Sequence, residues 1–102
     1  MIPSALEVIE DFTLVPDSEK LQLLLEYSEA LPELDPKFGE HPELMERVEE
    51  CQSPVFIAVE GDVANVRLHF SAPREAPTTR GFASVLNSAL DGQSAQDILE
   101  LQ

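Results

Sequence analysis

Cysteine occurs once in this chain of 102 residues, at Cys51, and its scarcity excludes a good deal. One thiol makes no internal disulfide, which agrees with a reducing compartment. A structural zinc or an iron–sulfur cluster needs several cysteine or histidine ligands, and the chain offers only Cys51, His41 and His69, so no metal and no cofactor is expected. The four glycines are scattered and make no phosphate-cradling loop. Basic residues are also few, 6 against 20 acids, and the net charge of -14 would repel a phosphate backbone, so nucleic acid is not an expected partner. There is no apolar run long enough to span a membrane, and Met1 to Glu10 lacks a basic leader followed by an apolar stretch. The expected location is cytoplasmic, with no membrane partner.

The chain is 43% hydrophobic and 25% charged, a globular composition, and its length suits one domain with a modest core. Its acidity is uneven. Residues 1–50 hold 14 acids and 3 bases, and residues 51–102 hold 6 and 3, so the charge belongs mostly to the N-terminal half. Solvated helix faces account for it.

Ser4 followed by Glu7 makes a capping-box pattern and predicts a short helix over Ala5 to Phe12. Leu21, Leu24, Leu25, Ser28 and Leu31 recur at helical spacing and predict an amphipathic helix from Ser18 to Leu31. Pro32 and Pro36 end it, and residues 32–41 read as loop. Pro42 reads as the first residue of a third helix, with Leu44, Met45 and Val48 on its apolar side, ending near Glu50. Val55 to Val59 is a β-favouring run, Gly61-Asp62 reads as a turn, and Val66, Leu68 and Phe70 alternate with Arg67 and His69, together an antiparallel hairpin with one buried face. Phe82, Val85, Leu86, Ala89 and Leu90 form a helical stripe over Thr79 to Leu90, Gly92 ends that helix, and Ser94 caps a last one with Ile98, Leu99 and Leu101. This order predicts an α+β domain in which helices cover one face of a small antiparallel sheet.

A thiol reacts as thiolate, and the neighbours of Cys51 do not promote one. Glu49 and Glu50 repel negative charge, and no histidine or second cysteine lies nearby in the chain. His41 and His69 read as ordinary surface or half-buried residues, and a stand-alone cysteine hydrolase is disfavoured. What remains is a thiol in a short turn-rich connection, Gln52-Ser53-Pro54, where it can accept a group that another protein has activated.

Several segments in order resemble the SufE family of sulfur-acceptor proteins in the Suf iron–sulfur assembly system, to which the CsdE branch is closely related. They are Leu14 to Leu34, Val48-Glu49-Glu50-Cys51-Gln52-Ser53-Pro54-Val55-Phe56, Glu75 through Phe82 with its Arg80-Gly81 pair, Leu90 to Gln93, and Ile98-Leu99. The resemblance implies a SufE/IscU-like fold. It also implies that Cys51 takes persulfide sulfur from a pyridoxal-phosphate-dependent cysteine desulfurase of the SufS type, stimulates that enzyme, and passes sulfur to an iron–sulfur scaffold protein. Such a protein is a persulfide carrier and activator rather than a stand-alone enzyme. Gln52, Ser53 and Arg80 are candidate supporting residues, Arg80 reading equally as a surface charge at a helix start.

The family's cysteine loop is thought to tuck its sulfur into an apolar cavity. Cys51 is therefore expected at a loop tip between the third helix and the first strand, shielded by the Phe82 to Leu90 helix. Two departures stand out: Glu50 replaces the family's usual glycine, and the family's usual C-terminal helical segment, beyond Gln102, is expected to be missing. The alternative reading is a non-catalytic module that docks on a desulfurase or scaffold, with Cys51 structural.

Overall fold

The computed structural model describes residues 2–49 and 53–100. Among them the chain runs α1 (Pro3–Leu14), a 3₁₀ turn (Asp17–Glu19), α2 (Lys20–Ala30), α3 (Pro36–Glu40), a second 3₁₀ turn (Pro42–Leu44), β1 (Glu46–Arg47), β2 (Phe56–Asp62), β3 (Asn65–Ser71), α4 (Pro77–Leu90) and α5 (Ala95–Leu99). The sheet is antiparallel, in the order β1-β2-β3, and the class is α+β as expected.

Pro3, not Ser4, begins α1: its fixed φ suits the first helical position, and Ile2 stands before it in extended conformation without a side-chain cap. Ser4 is already inside the helix, and its hydroxyl donates to the Ala89 carbonyl at 2.6 Å, so the capping box does not form. Ile2, Ala5 and Val8 pack with Ala89 of α4, while Phe12 stacks on Tyr27 of α2 with ring centroids 5.7 Å apart. Burial of Ile2 and Val8 contributes about 1.5–3 kcal/mol each. Leu24, Ser28 and Leu31 face inward from α2 and its end, whereas Leu21 is exposed.

The stripe expected on α4 is rotated. Gly81, Ala83, Ser84 and Ala89 are its buried residues, and Phe82 and Leu86 are 60% and 48% exposed. Close approach of α2 is the cause, because it turns the narrowest face of α4 inward at Gly81. Phe82 instead borders an open apolar groove with Val8, Ile9, Phe12, Leu24 and Val85.

The third helix expected from Pro42 to Glu50 is a single 3₁₀ turn followed by a strand. No side chain caps it at His41, and Leu44 is exposed. Extended backbone over Glu46–Arg47 gives the outer edge of β2 its ladder partners, Ile57 and Phe56, which a helix could not. The expected hairpin is therefore part of a three-stranded sheet. Its turn is displaced as well: the strands run on to Asp62 and Asn65, and Val63 and Ala64 make the turn, with Asp62 Oδ1 accepting from the amides of Ala64 and Asn65 at 3.0 Å. Gly61 lies within β2 at φ 83, a conformation that favours glycine.

Both sheet faces are covered. Ile57, Leu68 and Phe70 pack under Leu31 and Ala83 on the helical side. Residues 32–41, expected as loop, contain α3, and its Phe38, 3% exposed, lies on the other side against His69. His69 is thus half-buried, as expected. The outer edge of β3 is sealed by the chain leaving α4: Leu68 donates its amide to Asp91 Oδ1 at 2.7 Å, its carbonyl accepts from Asn87 Nδ2 at 3.0 Å, and Val66 exchanges backbone bonds with Gln93 and Gly92. Gly92 at φ 84 allows that reversal, and Ser94 caps α5 by accepting from the Asp97 amide at 3.1 Å. Among the described residues no helix is long and apolar enough to cross a membrane.

Candidate functional site

Val48 and Val55 close the root of the connection that carries the single cysteine. Beyond the ladder pair Arg47 and Phe56, the Val48 amide donates to the Val55 carbonyl at 2.8 Å, which brings the two flanks of the intervening segment together. On the return limb the Val55 amide donates to the Ser53 carbonyl at 2.9 Å, a tight turn around Pro54 whose ring holds φ near the required value. Val55 is 4% exposed and anchors that limb, and Ser53 is half-buried beside it. Glu50, Cys51 and Gln52 lie outside the described residues, and with them the expected loop-tip thiol and the supporting role of Gln52. The element before the connection is a strand, not the expected helix. The expected shielding of the thiol by α4 lies outside the described residues as well; on that helix Phe82 and Leu86 are partly exposed.

A mostly apolar cavity of about 230 Å³ adjoins the root on the sheet face away from α4, bounded by Leu34, Phe38, Pro42, Met45, Phe56 and Ser71. Phe56 opens β2 and Met45 immediately precedes β1, so the cavity lies where the connection departs. Its Phe38 wall is held by an ionic cluster. Lys37 Nζ bonds both Glu60 oxygens, at 2.7 and 2.9 Å, and His69 Nε2 lies 3.0 Å from Glu60 Oε1. The hydrogen bond from Lys37 lowers the Glu60 carboxyl below its ordinary pKa, and the same bond raises Lys37. His41, the other histidine, is exposed and lies 3.1 Å from Glu43. Nothing in the local spacing signals the Lys37–Glu60 pair, whose members stand 23 residues apart.

Arg80 is not a free surface charge. Its Nε donates to the Ser28 carbonyl at 3.1 Å and its Nη1 to the Ala72 carbonyl at 2.7 Å, tying α4 to the end of α2 and to the residue after β3. The adjoining Gly81 lets α2 and α4 meet, so the Arg80-Gly81 pair builds the frame that borders the sheet end from which the Cys51 connection leaves.

Comparison with known proteins places this frame. Residues 6–102 match the SufE family, described as the Fe-S metabolism associated domain. Two curated proteins of Mycobacterium tuberculosis strains, each named an uncharacterized SufE-like protein, are 55% identical over 94 residues, which is 91% of this chain and 64% of theirs. The chain thus spans under two thirds of the length of those relatives. A chloroplastic quinolinate synthase of Nicotiana tabacum is 35% identical over 96 residues, 93% of this chain but 13% of that protein. A solution structure of a hypothetical protein from Thermus thermophilus superposes with a TM-score of 0.82 at 36% identity, covering 100% of this chain and 72% of that one. The family match across nearly the whole chain and the relatives at 55% identity lead to one conclusion: the chain belongs to the SufE family.

Proposed function

We propose that this protein is a sulfur acceptor in iron–sulfur cluster assembly, with Cys51 as the accepting residue, a SufS-type cysteine desulfurase as donor and a cluster scaffold as recipient. The observation that supports the reading is the root at Val48 and Val55, which brings the two flanks of the segment carrying the chain's one cysteine together at a sheet end beside an apolar cavity. The transfer needs no net oxidant. The Cys51 thiolate attacks the outer sulfur of the donor's cysteine persulfide; a new S–S bond forms at Cys51, the donor's S–S bond breaks, and the donor leaves as thiolate, taking up the proton that Cys51 released. The donor supplies the reactive sulfur, so acidic neighbours of Cys51 are tolerable. A persulfide is readily reduced, and the cavity against the root of the connection is suited to sheltering it. Ser53, fixed by the turn at Pro54, and Arg80, through its two carbonyl bonds, act as positioning residues. Cytoplasmic location and stimulation of the desulfurase belong to the same proposal.

Mass spectrometry after incubation with desulfurase and cysteine tests it. Wild type is expected to gain one or more sulfur atoms on Cys51, and Cys51→Ser to gain none while remaining folded. Full loading of the serine variant, or none of the wild type, overturns the acceptor assignment; the latter favours a docking module with a structural cysteine.

A further inference from the structure

Of the six basic residues in this acidic chain, Lys20, Lys37 and Arg67 are each paired, with Asp17, Glu60 and Asp91. Of the other three, none has such a carboxylate partner among the described residues; Arg47 lies apart in β1, and Arg74 and Arg80 are brought together. They line one pocket of about 350 Å³, together with Leu25, Ser28, Glu29 and Pro77. Glu29 is on its wall and forms no ion pair with another described residue.

Three further observations mark a built site. Ser28 lines the pocket and is 6% exposed, and its hydroxyl, which makes no hydrogen bond among the described residues, is not sealed from solvent. A hydroxyl in that position can donate to a ligand that enters the pocket. The Arg80 guanidinium is held at two of its N–H groups by the Ser28 and Ala72 carbonyls, so it is oriented in advance while its other donors remain available. Pro77 opens α4, a helix of 14 residues, and brings the positive end of its dipole to the same wall. Two guanidinium groups and a hydroxyl, walled by Leu25 and Pro77, suit a planar anion that forks onto arginine, as a carboxylate does.

The pocket also has a location. Ala72 and Arg74 follow Ser71, the last residue of β3, and Ser71 pairs with Phe56 at the root of the Cys51 connection. We propose that Arg74, Arg80 and Ser28 form a carboxylate-binding pocket that receives an acidic side chain of the protein docking at the Cys51 end of the sheet. That this protein is a cysteine desulfurase rests on the reading above; that the pocket binds a carboxylate does not.

The test has two arms. In the first, the arginine Nε–H signals of Arg74 and Arg80 and the Ser28 amide are followed by NMR during titration with sodium acetate and, separately, sodium chloride at matched ionic strength. Saturable shifts with acetate alone, lost in Arg74→Gln, are expected. Equal responses to both salts, no saturation, or the same response in Arg74→Gln overturns the pocket. In the second arm, affinity for a SufS-type desulfurase is measured for wild type, Arg74→Gln and Lys20→Gln. Loss of a charge-assisted hydrogen bond weakens Arg74→Gln about tenfold, and Lys20→Gln, which removes the same charge elsewhere, binds as wild type. Equal weakening of both variants, or of neither, overturns the assignment to the partner's side chain. Failure of wild-type Cys51 to take up sulfur would sink the acceptor reading and leave the acetate arm to decide the pocket.

Discussion

Gly81 of α4 lies so close to Leu24 of α2 that a Cβ placed on it would stand 2.5 Å from the Leu24 carbonyl oxygen and 2.8 Å from its Cγ. Alanine would improve intrinsic helix propensity by about 1 kcal/mol. Overpacking costs about 1–3 kcal/mol, and the upper end applies because the obstacle includes backbone, which yields less readily than a side-chain tip. The two effects leave a net loss. Gly81→Ala is expected to lose about 2 kcal/mol in urea unfolding, and a variant as stable as wild type would show that α2 and α4 can separate without penalty.

Ser84 is one turn further along the same interface, 1% exposed, with a hydroxyl that has no partner among the described residues. Leaving such a group dry costs about 1–3 kcal/mol, while the volume lost on trimming to alanine is one oxygen. Ser84→Ala is therefore expected to raise the unfolding free energy, by about 1 kcal/mol. A clear fall in the urea midpoint at unchanged m-value would reveal a partner such as a trapped water.

These two positions also show where the sequence is legible and where it is not. Helical spacing locates α2 and α4, because period is a local property. It does not identify the buried face of α4, because Phe82, Leu86 and Leu90 make a stronger apolar stripe than the small residues Gly81 and Ser84 that meet α2. The short β1 is hidden for a related reason: Glu46 and Arg47 carry no strand-like pattern and are extended because β2 needs a partner. The end of α4 and the cap at Ser94 are legible from turn and capping residues alone, whereas the hairpin is legible from its two β-favouring runs and not from Gly61-Asp62, since its turn falls at Val63-Ala64. At the candidate site, Cys51 stands out by being single and Arg80 by its family resemblance. Arg74, Ser28 and the Lys37–Glu60 pair emerge only when distant segments are brought together.

Asp91 seals an otherwise open strand edge. Its Oδ1 accepts from the Leu68 amide and its Oδ2 lies 3.1 Å from Arg67 Nη2. Asp91→Ala exposes that amide and is expected to cost about 2 kcal/mol, the range for a hydrogen bond to a charged group. Asp91→Asn keeps an acceptor and should recover most of the loss in thermal unfolding. Equal destabilisation by both variants would shift the credit from the Leu68 bond to the Arg67 pair.

The Glu60 carboxyl, held below its ordinary pKa by the hydrogen bond from Lys37, gives stability a defined sign with pH. A depressed folded-state carboxyl contributes fully above its unfolded value of about 4.3, and the contribution is lost as pH falls through the lower folded value. Lys37, raised chiefly by that same bond, behaves in mirror image: its contribution is full below about 10.4 and lost as pH rises through the raised folded value. Glu60→Gln should flatten both limbs, and the melting temperature measured from about pH 3 to 6 is the sensitive window for the acid one. An acid limb as steep as that of wild type would assign it to other carboxylates.

Glu50 stands beside Cys51 in the chain where related sequences are expected to have glycine. A carboxylate there disfavours the neighbouring thiolate, and a side chain restricts the backbone more than glycine does. The two effects are separable, since Glu50→Gln removes the charge and keeps the bulk, whereas Glu50→Gly removes both. Alkylation of Cys51 by iodoacetamide at neutral pH is expected to be faster in Glu50→Gln than in wild type, and Glu50→Gly is expected to keep or exceed that gain. Initial rates of persulfide formation at fixed desulfurase should follow the same order if the thiolate limits transfer. If alkylation speeds up while sulfur acceptance slows in both variants, the charge is needed for docking, and Glu50 belongs to the surface that meets the donor.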